Sequence, residues 1–379
     1  MTGPDIEEPT YVDTPTLLEE MLADLRRTSA LAVDTESNSL HAYQEQVCLI
    51  QISTREHDYL VDCLALSDLS PLGAVFADAN TQKVFHAGDY DLTCLKRDYA
   101  FQFANVFDTM LAASALGEES LGLAGLLEKY LGVQIDKKYQ RADWGKRPIK
   151  AEMLRYAQMD SHYLLGLRDS LVPRLEALGR LSIVLEDSAA LASQTPAMKN
   201  HAEDFWRVRG INGMKPPALS LLKQLNHLRE SLAKNQNLPP FKIMGDAALV
   251  EIANTQPHYI EELSLLPSLS AGQVRRYGKE LMRVIEQWRK RPGKVSRPRS
   301  QGPDDAVLRR RELIGEWRKQ SGLKQGLPSN VILPRDLLEK IAQADVEDLE
   351  ALRCLMLESP SRFEMYGEDI FKLLKEEHP

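Results

Sequence analysis

The chain has 379 residues, 43% of them hydrophobic and 27% charged, which is ordinary for a globular protein and too long for one core, so two or three domains are expected. No apolar run reaches the roughly eighteen residues that a membrane-spanning helix needs, and the acidic start, Met1 to Glu8, lacks the apolar stretch of a secretion signal. Four cysteines (Cys48, Cys63, Cys94, Cys354) without Cys-x-x-Cys spacing argue against structural zinc or a disulfide framework and favour a reducing cytoplasm, and the net charge of −8, taken as a sum, argues against a nucleic-acid partner.

In chain order, residues 11–30 read as an amphipathic helix opened by Thr14-Pro15, with Leu17, Leu18, Met21, Leu22 and Leu25 at helical spacing. Four β-like runs follow: Leu31–Asp34, Val47–Ser53, Tyr59–Asp62 and Lys83–His86. The second is close to continuously apolar, as a strand buried on both faces would be. Helical patterns then dominate from Leu92 to about Ala192, so the first part reads as a sheet covered by helices. Around 188–200 the pattern dissolves into Ser, Gln, Thr, Pro and Asn, the signature of a boundary.

The remainder is helical and repeats itself. Leu238-Pro239, Ile243, Leu249, Ile252-Ala253 and Tyr277-Gly278 recur as Leu327-Pro328, Ile332, Leu338, Ile341-Ala342 and Tyr366-Gly367, every pair offset by 89, and Leu228-Arg229 maps onto Trp317-Arg318. Two copies of a small helical domain are therefore expected, over 201–291 and 305–379, after a first domain over 1–192. The stretch 292–304 between them has the composition of a basic linker.

Candidate chemistry begins at Asp34 and Glu36. Residues i and i+2 of a strand share a face, so the strand would deliver two repelling carboxylates to its exit, an arrangement a cation would relieve. A third acid follows the Lys83–His86 run, where Asp89 suits a helix cap and Asp91, beside the core positions Leu92 and Leu95, suits a ligand. Tyr156 and Asp160 stand at i and i+4, one turn apart on a helix face. Charge is unevenly spread around these elements. Six cations fall from Lys137 to Lys150, and ten from Arg275 to Arg299, so phosphates have local binding options despite the net charge.

Together, Asp34-x-Glu36, Asp91 and Tyr156-x-x-x-Asp160 resemble the motifs of the proofreading-type 3′→5′ exonucleases, the DEDD superfamily. Its histidine version would place His five residues before Asp160, where Arg155 stands, so the likeness is to the tyrosine version. It narrows to the ribonuclease D family through Lys83-Val84-Phe85-His86-Ala87, Phe107-Asp108-Thr109 with Ala112-Ala113, and Gln140-x-x-Asp143-Trp144-x-x-Arg147-Pro148. The two repeats resemble HRDC (helicase and ribonuclease D C-terminal) domains; the second has Ser329 where the first has Pro240. The resemblance implies an α/β ribonuclease H-like exonuclease domain, a mixed sheet flanked by helices, followed by two all-α HRDC-type domains.

It further implies a metal-dependent exoribonuclease trimming RNA 3′ ends, tRNA precursors foremost, and releasing nucleoside 5′-monophosphates. The expected cofactors are two divalent ions, Mg²⁺ or Mn²⁺. Such a pair, roughly 4 Å apart, clamps the attacking and leaving oxygens, and hard cations take oxygen ligands. Asp34, Glu36, Asp91 and Asp160 are then the ligands. Tyr156, with a free pKa near 10, orients the attacking water and does not serve as its base. Gln140, Trp144, Arg147, Arg275 and Arg276 are candidate substrate contacts, with internal packing an equal alternative for Trp144. Asp108 reads as a cap and His86 as structural. His162 points away from the Asp160 face. Tyr277 and Tyr366 read as packing residues. No membrane and no obligate protein partner are expected, and a monomer is favoured. The alternatives are a DNA 3′→5′ exonuclease of the same subclass and, in a different class, a non-catalytic nucleic-acid-binding scaffold.

Overall fold

In the computed structural model, residues 6–196, 204–293, 295 and 304–376 are described. The basic segment expected over 292–304 lies largely outside them. The chain divides into two compact units: residues 1–36, 47–196 and 302–379 form one, residues 37–46 and 197–301 the other.

The first unit is built on a six-stranded mixed sheet of order β1-β4-β3-β2-β5-β6, with β1 Thr10–Val12, β2 Ala30–Ser37, β3 Val47–Ser53, β4 Asp58–Asp62, β5 Gln82–Phe85 and β6 Val106–Asp108. β3 runs antiparallel to β4, while β1/β4, β2/β5 and β5/β6 are parallel. Its helices are α1 Pro15–Leu25, α2 Ser70–Ala77, α3 Asp89–Tyr99, α4 Thr109–Leu116, α5 Leu123–Leu131, α6 Ala151–His162, α7 Leu164–Ala177 and α8 Leu181–Ser193. Two three-residue strands escape the sequence reading. β1 occupies the start of the stretch expected to be helical, and α1 begins only at Pro15, with Thr14 accepting from the Leu17 N–H. Three residues are too few to display a period.

β2 explains how the sheet holds the site. Leu31 and Val33 join the core shared with α1, α2 and α3, whereas Ala32 joins the opposite core with Val84, Phe107, α4, α5 and α7. Apolar residues on both faces lock the register, so Asp34 and Glu36, which share the parity of Ala32, are fixed in the last half of the strand, which runs on to Ser37 and not only to Asp34 as expected. The helix α8 extends to Ser193, past the point where the pattern was expected to dissolve; Ser188 in it is buried and bonded, as described below.

The second unit carries a 3-10 turn (Asp204–Arg207), α9 Pro216–Gln236, α10 Pro240–Ile243, α11 Asp246–Thr255, α12 Ile260–Leu263 and α13 Ala271–Lys290, closed around their own apolar core. The other repeat belongs to the sheet-bearing unit, as α14 Asp305–Gln325, α15 Ser329–Ile332, α16 Arg335–Gln343, α17 Leu349–Leu355 and α18 Pro360–Glu376. Each helix starts 89 residues after its counterpart. Details repeat too: Tyr277 donates to Gln236 and Tyr366 to Gln325, and Arg229 donates to Met244 O as Arg318 does to Leu333 O. The tyrosines are packing residues, as expected.

Candidate active site

Parallel strands β2 and β5 end on the same edge of the sheet, the edge where α/β folds place ligands. β2 delivers Asp34 and Glu36 there. β5 runs through His86, left-handed Ala87 (φ 56°) and Gly88 into α3, whose first turn carries Asp91. Helix α6 packs over β3 and β4 and brings Tyr156 and Asp160.

The four carboxylates feel one another. Burial, then the charges of Asp91, Asp160 and Glu36, push the Asp34 carboxyl well above the ordinary carboxylate range. Burial, Asp160 and Asp91 do the same to Glu36. Burial raises Asp91 to about 6 against a bond from the Thr35 hydroxyl, and raises Asp160 to about 7 against one from Tyr156. Burial, followed by the charges of Asp160 and Glu36, drives the Tyr156 phenol upward, so it stays protonated and donates to Asp160. Among the described residues no three His, Cys, Asp or Glu side chains already form a coordination shell. Asp91 and Asp160 are instead turned towards hydroxyl donors. Four buried or partly buried acids that raise one another's pKa fit a divalent ion better than any neutral ligand.

Tyr156 is held between two rings. Tyr139 lies edge-on at 5.8 Å and Trp144 at 6.2 Å between centroids. Trp144 is 1% exposed, so packing and not base stacking is its role. Arg147, expected as a substrate contact, is spent on internal partners. Its Nε and Nη2 reach Asp62 (2.7 and 2.6 Å), Nη1 reaches Trp144 O and Lys146 O (2.7 and 2.9 Å), and Nη2 also reaches Cys48 O (2.8 Å). All five guanidinium N–H groups are used inside the protein, leaving none for a phosphate. Gln140 is exposed on the turn before Trp144; Arg275 and Arg276 are exposed on α13 of the other unit.

Asp89 does not cap α3. Gly88 stands at that position, and its N–H donates to Asp108 (2.7 Å), which also caps α4 through the Met110 and Leu111 N–H groups. Asp108 is thus the cap the sequence suggested, joined to two helices instead of one. His86 bonds to Thr109 Oγ1 at 2.9 Å, and burial lowers its pKa, consistent with a structural role. His162, read as pointing away from the Asp160 face, pairs with Asp58, its Nδ1 lying 2.7 Å from Asp58 Oδ2. Sequence reasoning missed Thr35, although it stands between the two motif acids, and missed Asp62, whose importance comes only from its distant partners.

A sheet exit lined with acids, followed by two helical repeats, is the build of an exonuclease carrying HRDC domains. Residues 9–176 match the 3′-5′ exonuclease family model, and residues 218–285 and 308–374 each match the HRDC domain. The exosome complex exonuclease RRP6 of Saccharomyces cerevisiae is 34% identical over 297 residues, covering 74% of this chain and 40% of that one. The first relatives in order of match are much longer proteins, of which this chain spans 31–40%. A ribonuclease D of Gluconacetobacter diazotrophicus is 31% identical over 267 residues, 70% of this chain and 68% of its own. RNase D of Escherichia coli, described as an exoribonuclease involved in structured RNA processing, shares the fold with a TM-score of 0.70 at 24% identity, over 98% of this chain and all of that one. The chain belongs to the ribonuclease D family.

Proposed function

We propose that this chain is a metal-dependent 3′→5′ exoribonuclease that trims RNA 3′ ends, with tRNA precursors as its first candidate substrates and nucleoside 5′-monophosphates as products. The observation that carries the reading is the mutual charge burden of Asp34, Glu36, Asp91 and Asp160 at one strand exit, with Tyr156 hydrogen-bonded to Asp160. These four acids would hold two divalent ions, Mg²⁺ or Mn²⁺. Held by these acids, such ions would supply an activated water and charge stabilisation at the leaving oxygen.

The residues of the chain do the rest. Asp34 and Glu36 give the rigid half of the cage, since both sit on a strand buried on two faces. Thr35 holds the Asp91 carboxylate from the other side. Tyr156, kept protonated, donates a hydrogen bond and orients the attacking water. It does not remove a proton. Exposed Gln140 and, on the first HRDC domain, Arg275 and Arg276 are candidate RNA contacts. Other structured RNA 3′ ends are further candidate substrates. We place the protein in the cytoplasm as a monomer. Its four cysteines are free thiols, and among the described residues no helix is long and apolar enough to cross a membrane.

The test is parallel digestion of matched RNA and DNA strands and of tRNA precursors with 3′ extensions, with Mn²⁺ or Mg²⁺. RNA is expected to be shortened from its 3′ end, and Asp34→Asn to abolish cleavage while RNA affinity in chelator stays within twofold. Faster digestion of DNA, or cleavage by Asp34→Asn, overturns the reading.

A further inference from the structure

The second helical repeat shares a compact unit with the sheet, and one buried arginine ties it there. Arg362, at the start of α18, is 0% exposed. Its Nη1 and Nη2 each donate to an Asp187 oxygen on α8 at 2.7 Å, and Nε and Nη2 donate to Val331 O at 3.1 and 3.0 Å. The Ser361 N–H adds a bond to Glu186 on α8 (2.8 Å). Leu327, Val331 and Ile332 enter the core that holds Ala32, Val84 and Phe107. Backbone meets backbone at Gly117, where an added Cβ would lie 2.6 Å from Gly326 O. In the first repeat the position of Arg362 is Gln273, which donates to Ile243 O (3.0 Å). Both copies keep the bond to their own short helix. Only the second has a charge in reserve for another element.

The residue after Asp187 continues the path. Ser188, 0% exposed, accepts the Asp108 N–H at 3.1 Å. The Asp108 carboxylate in turn fixes the Gly88 N–H at 2.7 Å, at the entrance of the helix that carries Asp91 three residues later. A side chain at position 88 is excluded, because a Cβ there would lie 2.7 Å from Phe85 Cβ. An unbroken series of bonds therefore runs from the second repeat through α8 and the end of β6 to the first turn of α3.

We propose that Ser188 and Asp108 are positioning residues for Asp91, and that the second HRDC domain acts on cleavage by clamping α8 through Arg362, with the face that bears Arg362 closed to RNA. The inference rests on the reading of Asp91 as a metal ligand. It implies that loosening the clamp weakens metal binding and leaves RNA affinity alone. Loss of a residue that supports a metal ligand typically costs 10- to 100-fold in metal affinity.

The full chain carrying Ser188→Ala, Arg362→Met or both is titrated with Mn²⁺, reading free Mn²⁺ by electron paramagnetic resonance. RNA affinity is measured in chelator, and cleavage is followed across Mn²⁺ concentrations. Each single variant should raise the half-saturating Mn²⁺ concentration about 10-fold. The double variant should add little, because both act on one path. RNA affinity in chelator and KM for RNA should stay within twofold, with kcat restored at saturating Mn²⁺. If Arg362→Met fails to fold, Ser188→Ala, which removes a single oxygen, decides alone. Wild-type Mn²⁺ binding in Ser188→Ala overturns the proposal, as does lost RNA affinity with unchanged Mn²⁺ binding in Arg362→Met. Asp91→Asn is the control: if it binds Mn²⁺ like wild type, the metal-ligand reading fails and the inference with it, whereas weakened binding there with tight binding in Ser188→Ala sinks the inference alone.

Discussion

Replacing Arg147 separates a structural guanidinium from an RNA contact. Asp62 is the partner at stake; its side chain is 4% exposed and that of Arg147 26%. Methionine at 147 keeps the aliphatic stem but leaves Asp62 with only the Tyr11 hydroxyl and the Leu64 and Ala65 N–H groups. Removing one partner of a buried pair costs about 3–5 kcal/mol. With three donors remaining and Arg147 partly exposed, the lower end applies, about 3 kcal/mol. At roughly 2–4 °C per kcal/mol for a unit of this size, Tm should fall by about 6–12 °C. Arg147→Lys retains the charge but offers three donors in place of five, so it should lose about 1–2 kcal/mol and not rescue fully.

The effect has a pH signature. Burial by itself raises the Asp62 carboxyl, but bonds from Arg147, Tyr11 and Leu64 outweigh it and hold the group below its ordinary value. A lowered folded pKa stabilises above the unfolded value near 4 and ceases to do so as pH falls through the folded one. The Tm gap between wild type and Arg147→Met should therefore be full at pH 7 and narrow below about pH 4. Thermal denaturation followed by circular dichroism at several pH values measures it. An unchanged Tm in Arg147→Met, combined with weaker RNA binding and a salt slope reduced by about one, would refute the structural role and return Arg147 to the phosphate.

The carboxylate quartet and its surroundings set further outcomes. Because burial raises Asp91 to about 6 and Asp160 to about 7, stability from these groups in the metal-free protein is present at low pH and lost as pH rises from about 4 through 7. Mn²⁺ affinity should climb over the same window, Asp34→Asn should raise Tm in chelator by relieving repulsion, and pH-independent Mn²⁺ binding would count against the shared cage. Gly88→Ala forces a Cβ to within 2.7 Å of Phe85 Cβ, both atoms at the root of rigid segments. It should cost about 1–3 kcal/mol and weaken Mn²⁺ binding, and a wild-type melting curve would contradict the tight approach drawn at the head of α3.

Elements whose information is local are legible in the amino-acid order. Residues i and i+2 of a strand share a face, so Asp34 and Glu36 are legible as a pair on one strand. Tyr156 and Asp160 were legible from helix spacing, and the two helical repeats from one constant offset of 89. The cap at Asp108 was legible because capping is decided within three residues. Tertiary structure alone decided which polar groups answer which. Arg147 and Asp62 lie 85 residues apart and Arg362 and Asp187 lie 175 apart. A charged side chain in a sequence does not say whether its partner is a phosphate or a buried acid, so Arg147 and Trp144 looked like substrate contacts until their surroundings filled. The short strands β1 and β6, the Gly88 cap in place of Asp89, and the joining of the second repeat to the sheet share that cause. Each depends on neighbours that chain distance conceals, and burial energy makes the choice only once the cores close.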